Sequence, residues 1–339
     1  MPVRDAWWYV PYATNQAQGR PTLGSTAYAA PNPDFGATFT YYLADAPQNA
    51  SDQREANESE LREEGRDAPF PGYEVLRTEA AESGARVLLQ VSDAAGDPVR
   101  WVEGPAREGL HRVTWDLRRP APNPINLSTP GFRPPWATDP VGPLAPPGTY
   151  SVQMVLVSAD GVEQIGGAQS FEVKPVPSAP PGTDFVAVAD FQHQTSELSR
   201  RVSGAGGEIG RVRNRLRYMR AALVRTPRAD PAMFARMDEL GRSLDGLSLR
   251  LQGDPIRGSL NESSVPTISN RVGSVIGGHW STRQNPTATQ RMNVEIAQRD
   301  FAVLERELGA LVDDRLMPLE EALADAGAPW TPGRRVGGR

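Results

Sequence analysis

The sequence has no cysteine in 339 residues, which removes disulfides, thiolate nucleophiles and sulfur-ligated zinc or iron–sulfur centres together. The compartment is left open by that absence. Lysine is almost missing too: Lys174 is the only one beside 35 arginines, so Walker-type phosphate loops and lysine Schiff bases are not expected. Only three histidines occur. No stretch approaches the roughly 20 apolar residues that span a bilayer, and Met1 to Tyr12 carries an early acid and scattered aromatics where an export signal has a basic end and a continuous apolar run. No export signal is therefore expected in this polypeptide. The net charge of -5 gives no global attraction to nucleic acid or to an anionic membrane surface.

Proline is abundant but unevenly placed: 24 of 32 lie at or before residue 182, so long helices are confined to the second part. Residues 1–35 are rich in Pro, Gly and Ala, with Trp7, Trp8, Tyr9 and Tyr12 in no periodic pattern; they read as an extended arm laid on another surface. Alternation over Ala37–Leu43, Arg86–Val91, Val99–Val102, Gly109–Leu117, Gly148–Val157 and Ala168–Val173, with a turn at Asp93–Asp97, predicts an antiparallel sandwich over 36–175. Inserts at 45–83 and 119–147 interrupt it. Residues 51–67 hold seven acids and three arginines, and 120–147 hold ten prolines, so both are expected on the sandwich surface, the first as a solvated helix or disordered segment. A linker is expected at 176–183.

From Thr183 the apolar period becomes 3 and 4. Phe191, Leu198, Val202, Ile209, Val212, Leu216, Met219 and Leu223 trace one helix face, and Phe234, Met237, Leu240, Leu244, Leu247 and Leu251 trace another, behind an Asp230-Pro231 start. A third helix is expected from Thr267 to Ile276, ended by Gly277-Gly278, and a fourth from the capping box Thr287/Gln290 to about Ala326. The faces require one another, which predicts a helical bundle over 184–327 and a disordered tail at 328–339. The fold class expected is α+β multidomain: an immunoglobulin-like or fibronectin-III-like β-sandwich, then an all-α bundle of long helices.

No constellation of side chains outweighs its structural reading. Nine arginines against one acid, Glu208, between residues 200 and 228 suggest a phosphate grip, but nine acids against four arginines between 287 and 326 offer an antiparallel neutralising partner. Nucleic-acid binding is not expected. Gly204, Gly206, Gly207 and Gly210 echo a dinucleotide loop, but the preceding strand is missing, so a helix kink or break is expected instead. His193 and Glu197, one helical turn apart, make half a metal site at best, and His279 beside Trp280 reads as a packed loop histidine. Asp93 and Asp97 flank a hairpin turn and Asp116 ends a strand, positions where aspartate serves the backbone. No catalytic, cofactor or metal residue is assigned.

The stretches NPDFGATFTYYL (Asn32–Leu43), VLLQVSDAAGDPVRWVEGPAREGLHRVTWDLR (Val87–Arg118) and PPGTY (Pro146–Tyr150), then NRVGSVIGGHW (Asn270–Trp280), PTATQR and AGAPWTPGR (Ala326–Arg334), resemble the region that follows the β-propeller in bacterial sortilin-like proteins. Those proteins carry Asp-box (BNR) or YVTN-type repeats and are often labelled glycosyl hydrolases. GLHRVTWDLR…PPGTY is also similar to the immunoglobulin-like domain of the flagellar hook capping protein. The resemblance implies a non-catalytic accessory or interaction module, the C-terminal part of an exported, periplasmic or extracellular propeller protein. Its start then resembles the exit strand of the propeller, as in a split gene, a late start or a fragment. Partners implied are the upstream propeller or another protein. Two alternatives stand beside it: part of a sialidase-like glycoside hydrolase whose catalytic residues lie in the propeller, or a carbohydrate-binding module using Tyr41, Tyr42, Trp101 and Trp136 as stacking faces. The docking residues expected are Trp7, Trp8, Tyr9, Tyr12 and Trp136.

Overall fold

A computed structural model describes residues 2–11, 33–128, 131–134, 137, 139–159, 161–177 and 182–334. The chain is of mixed α+β class and divides into two compact units, Met1–Pro120 with Leu144–Val186 and Ala121–Pro143 with Ala187–Arg339.

The first unit holds seven strands among its described residues: β1 (Ala6–Trp8), β2 (Ala37–Leu43), β3 (Arg86–Asp93), β4 (Pro98–Gly104), β5 (Gly109–Trp115), β6 (Gly148–Ser158) and β7 (Gly161–Pro175). A curled five-stranded sheet runs β1-β7-β6-β3-β4, and β2 pairs with β5 in a second, two-stranded sheet. Every pairing is antiparallel except that of β1 with β7. Side chains alternate across each strand, so Val87, Leu89 and Val91 of β3 meet Phe39 and Tyr41 of β2 in one hydrophobic cluster that both sheets share. The β3–β4 turn is built as its sequence predicts. Asp93 accepts the amides of Ala95 and Asp97 at 3.0 Å, and Gly96 takes the positive φ of 89°.

Three segments that are distant in sequence are tied together where β5 ends and β6 begins. The Trp8 indole donates to the Ala145 carbonyl at 2.8 Å, and the Ala145 amide donates to the Leu117 carbonyl at 2.7 Å. The Trp115 indole donates to the Arg118 carbonyl at 2.9 Å, and the Tyr150 hydroxyl donates to the Pro146 carbonyl at 2.6 Å. Trp115, Tyr150 and Phe171 pack ring against ring beneath these bonds. Leu117 holds a φ of 55° while fully buried, a left-handed conformation that a leucine keeps only where its surroundings fix it.

The acid-rich insert forms α1 (Ala50–Glu63) and α2 (Tyr73–Ala81), neither with a buried residue. Without an apolar face they depend on polar contacts: Asn49 and Asp52 form a capping box, and Arg54 reaches both Glu58 and Glu79.

The helical unit comprises α3 (Phe185–Leu223), α4 (Ala232–Gln252), α5 (Pro255–Ser259), α6 (Ile268–His279), α7 (Ala288–Ala310) and α8 (Met317–Asp325). The periodic faces of α3, α4, α6, α7 and α8 close on one core containing Leu216, Met237, Leu244, Phe301, Leu304 and Leu316. Three expectations are corrected here. First, α3 runs unbroken through Gly204–Gly210. A Cβ on Gly206 would lie 2.8 Å from the Gln252 amide nitrogen, so a side chain there would displace the end of that glutamine. Second, α6 continues past Gly277-Gly278 to His279. Third, the last helix is interrupted by a π-helical segment, Leu311–Leu316, which ends two residues before Pro318. Proline has no amide to donate to the carbonyl four residues back and its ring crowds that carbonyl; a wider turn relieves both problems. Beyond α8, Ala328 packs on the bundle core and Thr331 is buried.

The alternation within β1 sets a sharp contrast. Trp8 is 4% exposed and its neighbour Trp7 is 54% exposed. Trp8→Ala should lower the unfolding free energy of the sheet unit by about 3–5 kcal/mol, because a core indole and the partner of a buried carbonyl are lost together, whereas Trp7→Ala should change it by less than about 0.5 kcal/mol. Chemical denaturation followed by β-sheet circular dichroism measures both.

Candidate docking surfaces

The aromatic arm is the first candidate surface, and the structure separates its members. Trp8 is core, and Trp7 points outward from the same strand. Tyr9 is partly exposed and packs edge-to-face on Phe35, with ring centroids 4.7 Å apart. Tyr12 and Trp136 lie outside the described residues. The strand is anchored by Asp5, which accepts the Lys174 ammonium at 2.5 Å and the Glu172 amide at 3.1 Å. The bond to Lys174, more than that to Glu172, holds the Asp5 carboxyl below its ordinary range. The chain's single lysine thus pins β1 to β7. Among the described residues no strand pairs with the outer edge of β1, so backbone groups beside Trp7 are open to a further strand.

Of the aromatics considered for sugar stacking, the described ones, Tyr41, Tyr42 and Trp101, do not form a common platform. Tyr41 is buried, donates to the Pro105 carbonyl at 2.7 Å, and has its phenol pKa raised by burial. Tyr42 is exposed on the two-stranded sheet opposite Leu110, which is exposed as well. Trp101 is exposed on β4 of the other sheet, opposite Gln90.

Two of the carboxylates weighed from the sequence, Asp93 and Asp116, are engaged with backbone. Asp93 caps its turn, and Asp116 accepts the Arg118 amide at 3.1 Å. Glu197 pairs with Arg200 at 2.7 Å, beside an exposed His193. Among the described residues no group of three or more His, Asp or Glu side chains is placed to hold a metal ion.

In the helical unit, two adjoining grooves of about 590 and 280 Å³ run along α4 and the last helices, and both are lined by Asp314 and Arg315 of the π segment. Leu247 and Leu311 line the larger one between two ion pairs, Arg250 with Glu307 and Arg315 with Glu239 at 3.0 Å. Arg315 also donates to the Ser243 hydroxyl at 3.0 Å. π-Helical turns recur at functional sites because they displace side chains from the regular helical register. The groove was not legible in the sequence, and its only local signal is Pro318 following an otherwise continuous apolar period.

His279 sits in a buried polar network at the end of α6. Its Nε2 bonds the Gln284 carbonyl at 3.0 Å, so it carries the proton, and the Gln192 amide lies 3.5 Å from Nδ1 and 3.2 Å from the His279 carbonyl. The Trp280 indole donates to Thr195 at 3.1 Å, and Phe191 meets the imidazole edge-to-face. With this geometry the residue is a satisfied core histidine.

No protein-family model matches this chain, and neither the curated proteins nor the solved structures include one that matches it.

Burial pushes the His279 pKa down, opposed by the bond to Gln284 and reinforced by nearby Arg291. In the unfolded chain a histidine titrates near pH 6.5. Between the two values only the unfolded state holds the proton, so stability should fall as pH drops below about 6.5 and level off beneath the folded pKa. His279→Gln should flatten that part of the pH profile relative to the wild type, measured as the denaturation midpoint of the helical unit across about pH 7.5 to pH 5.

Proposed function

We propose that this chain is a non-catalytic interaction module, in which an immunoglobulin-like sandwich presents its N-terminal edge strand to a neighbouring domain or protein. The immunoglobulin-like reading draws on strand order: β2 and β5 pair in one sheet, while β7, β6, β3 and β4 lie side by side in that order in the other, the distribution of strands B and E against G, F, C and C′. The bond from the Tyr150 hydroxyl to a carbonyl four residues upstream, at the start of β6, is the geometry of a tyrosine corner, and Trp115 fills the core beside it.

The observation that carries the interaction reading is Trp7. A tryptophan more than half exposed, on a strand edge that no strand pairs among the described residues and whose neighbours Ala6 and Trp8 are buried, is pre-ordered apolar area whose burial costs little further entropy. The resemblance to sortilin-like proteins supplies the occupant: the propeller that precedes this region in that family. As the C-terminal part of an exported propeller protein, the chain would use β1 as the strand that leaves the propeller, with Trp7 against it.

The test uses the polypeptide encoded immediately upstream, expressed separately. A stoichiometric complex is expected with the wild type, and Trp7→Ala should weaken it about 30-fold or more without changing the fold. Equal binding by both proteins, or none by either, contradicts the proposal. The same preparation should show no turnover of aryl glycosides; turnover abolished by Asp116→Asn would point instead to a hydrolase.

A further inference from the structure

Among the described residues, the ion pairs of the helical unit leave a place between α3 and α4 where arginines gather without enough acid. α3 and α4 lie beside each other along a groove of about 410 Å³ lined by Arg213, Arg217, Arg220, Arg242, Asp238 and Asp245. Arg213 pairs with Asp245 at 2.9 Å, and Arg220 pairs with Asp238 at 2.7 Å while reaching the Met237 carbonyl at 3.3 Å. Both acids are thereby committed. Arg217 and Arg242 are exposed and make no ion pair among the described residues, although each lines this groove between the two paired positions. Gly241 lines the same groove, and a Cβ there would lie 3.5 Å from the Arg220 guanidinium, so its lack of a side chain leaves that end of the groove clear. The floor is the buried aliphatic surface of Leu216 and Leu244.

From this arrangement we infer that the α3–α4 groove binds a phosphate or sulfate group, with Arg217 and Arg242 as its two ligands. Four guanidinium groups against two carboxylates leave a formal charge of +2 in one concave place, which matches the charge of a phosphate monoester. A planar guanidinium fork fits a tetrahedral oxyanion through two parallel N–H···O bonds, and two forks can hold it from opposite sides. The flanking pairs fix Arg213 and Arg220 on their own acids, so the site is bounded along the groove. The arginine excess of α3 that the sequence raised as a phosphate grip is thus partly neutralised by α4 and the last helices, through Arg201 with Glu305 at 2.5 Å and Arg215 with Glu320 as well, while Arg217 is left in this short cradle without an ion pair among the described residues. A cradle of that size suits one small ester and lacks the extended track that a nucleic-acid backbone requires.

The experiment is isothermal titration of the full chain at low ionic strength with inorganic phosphate, inorganic sulfate and glycerol phosphate. Saturable one-site binding that weakens with added salt is expected for at least one of them. Tighter binding of glycerol phosphate assigns the site to an organic monoester, and equal binding assigns it to the free oxyanion; either supports the site. Arg217→Gln and Arg242→Gln should each weaken binding about tenfold or more, and the double variant should abolish it. Arg211→Gln, an exposed α3 arginine paired with Glu208 outside the groove, should bind as the wild type does. Binding of none of the three anions, retained binding in the double variant, or an equal loss in Arg211→Gln would overturn the inference. Unchanged helical circular dichroism and melting temperature in the double variant separate lost binding from lost folding.

Discussion

Trp8 must bury some 150–250 Å² of ring surface and still find an acceptor for its indole N–H, and the sheet unit is organised around the one place where both are available. The acceptor is the Ala145 carbonyl, whose own amide is held by Leu117. Leu117 in turn takes a left-handed backbone that lets β5 leave its sheet just before the long insert, and Trp115 and Tyr150 close the corner with their own bonds to Arg118 and Pro146. The N-terminal strand, the end of β5 and the entry to β6 therefore share a single hydrogen-bonded knot above one aromatic cluster. β1 is only three residues long and could not persist by its ladder alone; its pairing with β7 is held by the burial of Ala6 and Trp8 and by the Asp5–Lys174 pair.

The helical unit solves the complementary problem with charge. An α3 rich in arginine would repel itself, and its neighbours supply acids at matched heights: Asp238 and Asp245 from α4, Glu305 from α7 and Glu320 from α8. Only the Arg215–Glu320 pair is largely buried, so the others contribute mainly to register and solubility, at a few tenths of a kcal/mol each. The use of arginine throughout suits this role, since its planar fork makes paired bonds to a carboxylate where an ammonium makes one.

Much of the architecture was legible because it depends on local periods. The alternation of Ala37–Leu43 gives β2 to the residue, and the capping box of Thr287 with Gln290 starts α7 where the sequence says it should. Features that depend on a distant partner were not legible. Nothing in Ala6-Trp7-Trp8 says which indole faces inward until Ala145 is beside it. The first ten residues of β7 carry no burial alternation, since none of them is buried, and only the final segment was read as a strand. The glycines of α3 were read as a kink or break for want of the strand a dinucleotide loop needs, while the helix runs unbroken through them and only Gly206 has a neighbouring side chain, the Gln252 amide, in the place of a Cβ. Of the candidate sites, the arm and the arginine excess were visible in sequence. That Trp7 stays outside while Trp8 is core, and that among the described residues Arg217 and Arg242 stay unpaired within their groove, follow from packing that no single segment encodes.

The most direct measurement is amide hydrogen exchange over residues 6–8, read against β6 and β7 in the same sample. If β1 is an integral strand held by the Trp8 corner, its hydrogen-bonded amides should open with the sheet and show protection within about tenfold of the β7 amides beside it. Exchange at the unprotected rate over Ala6–Trp8, with β6 and β7 still protected, would mean that the N-terminal segment is a loose arm and that the exposed Trp7 is not presented on a fixed edge.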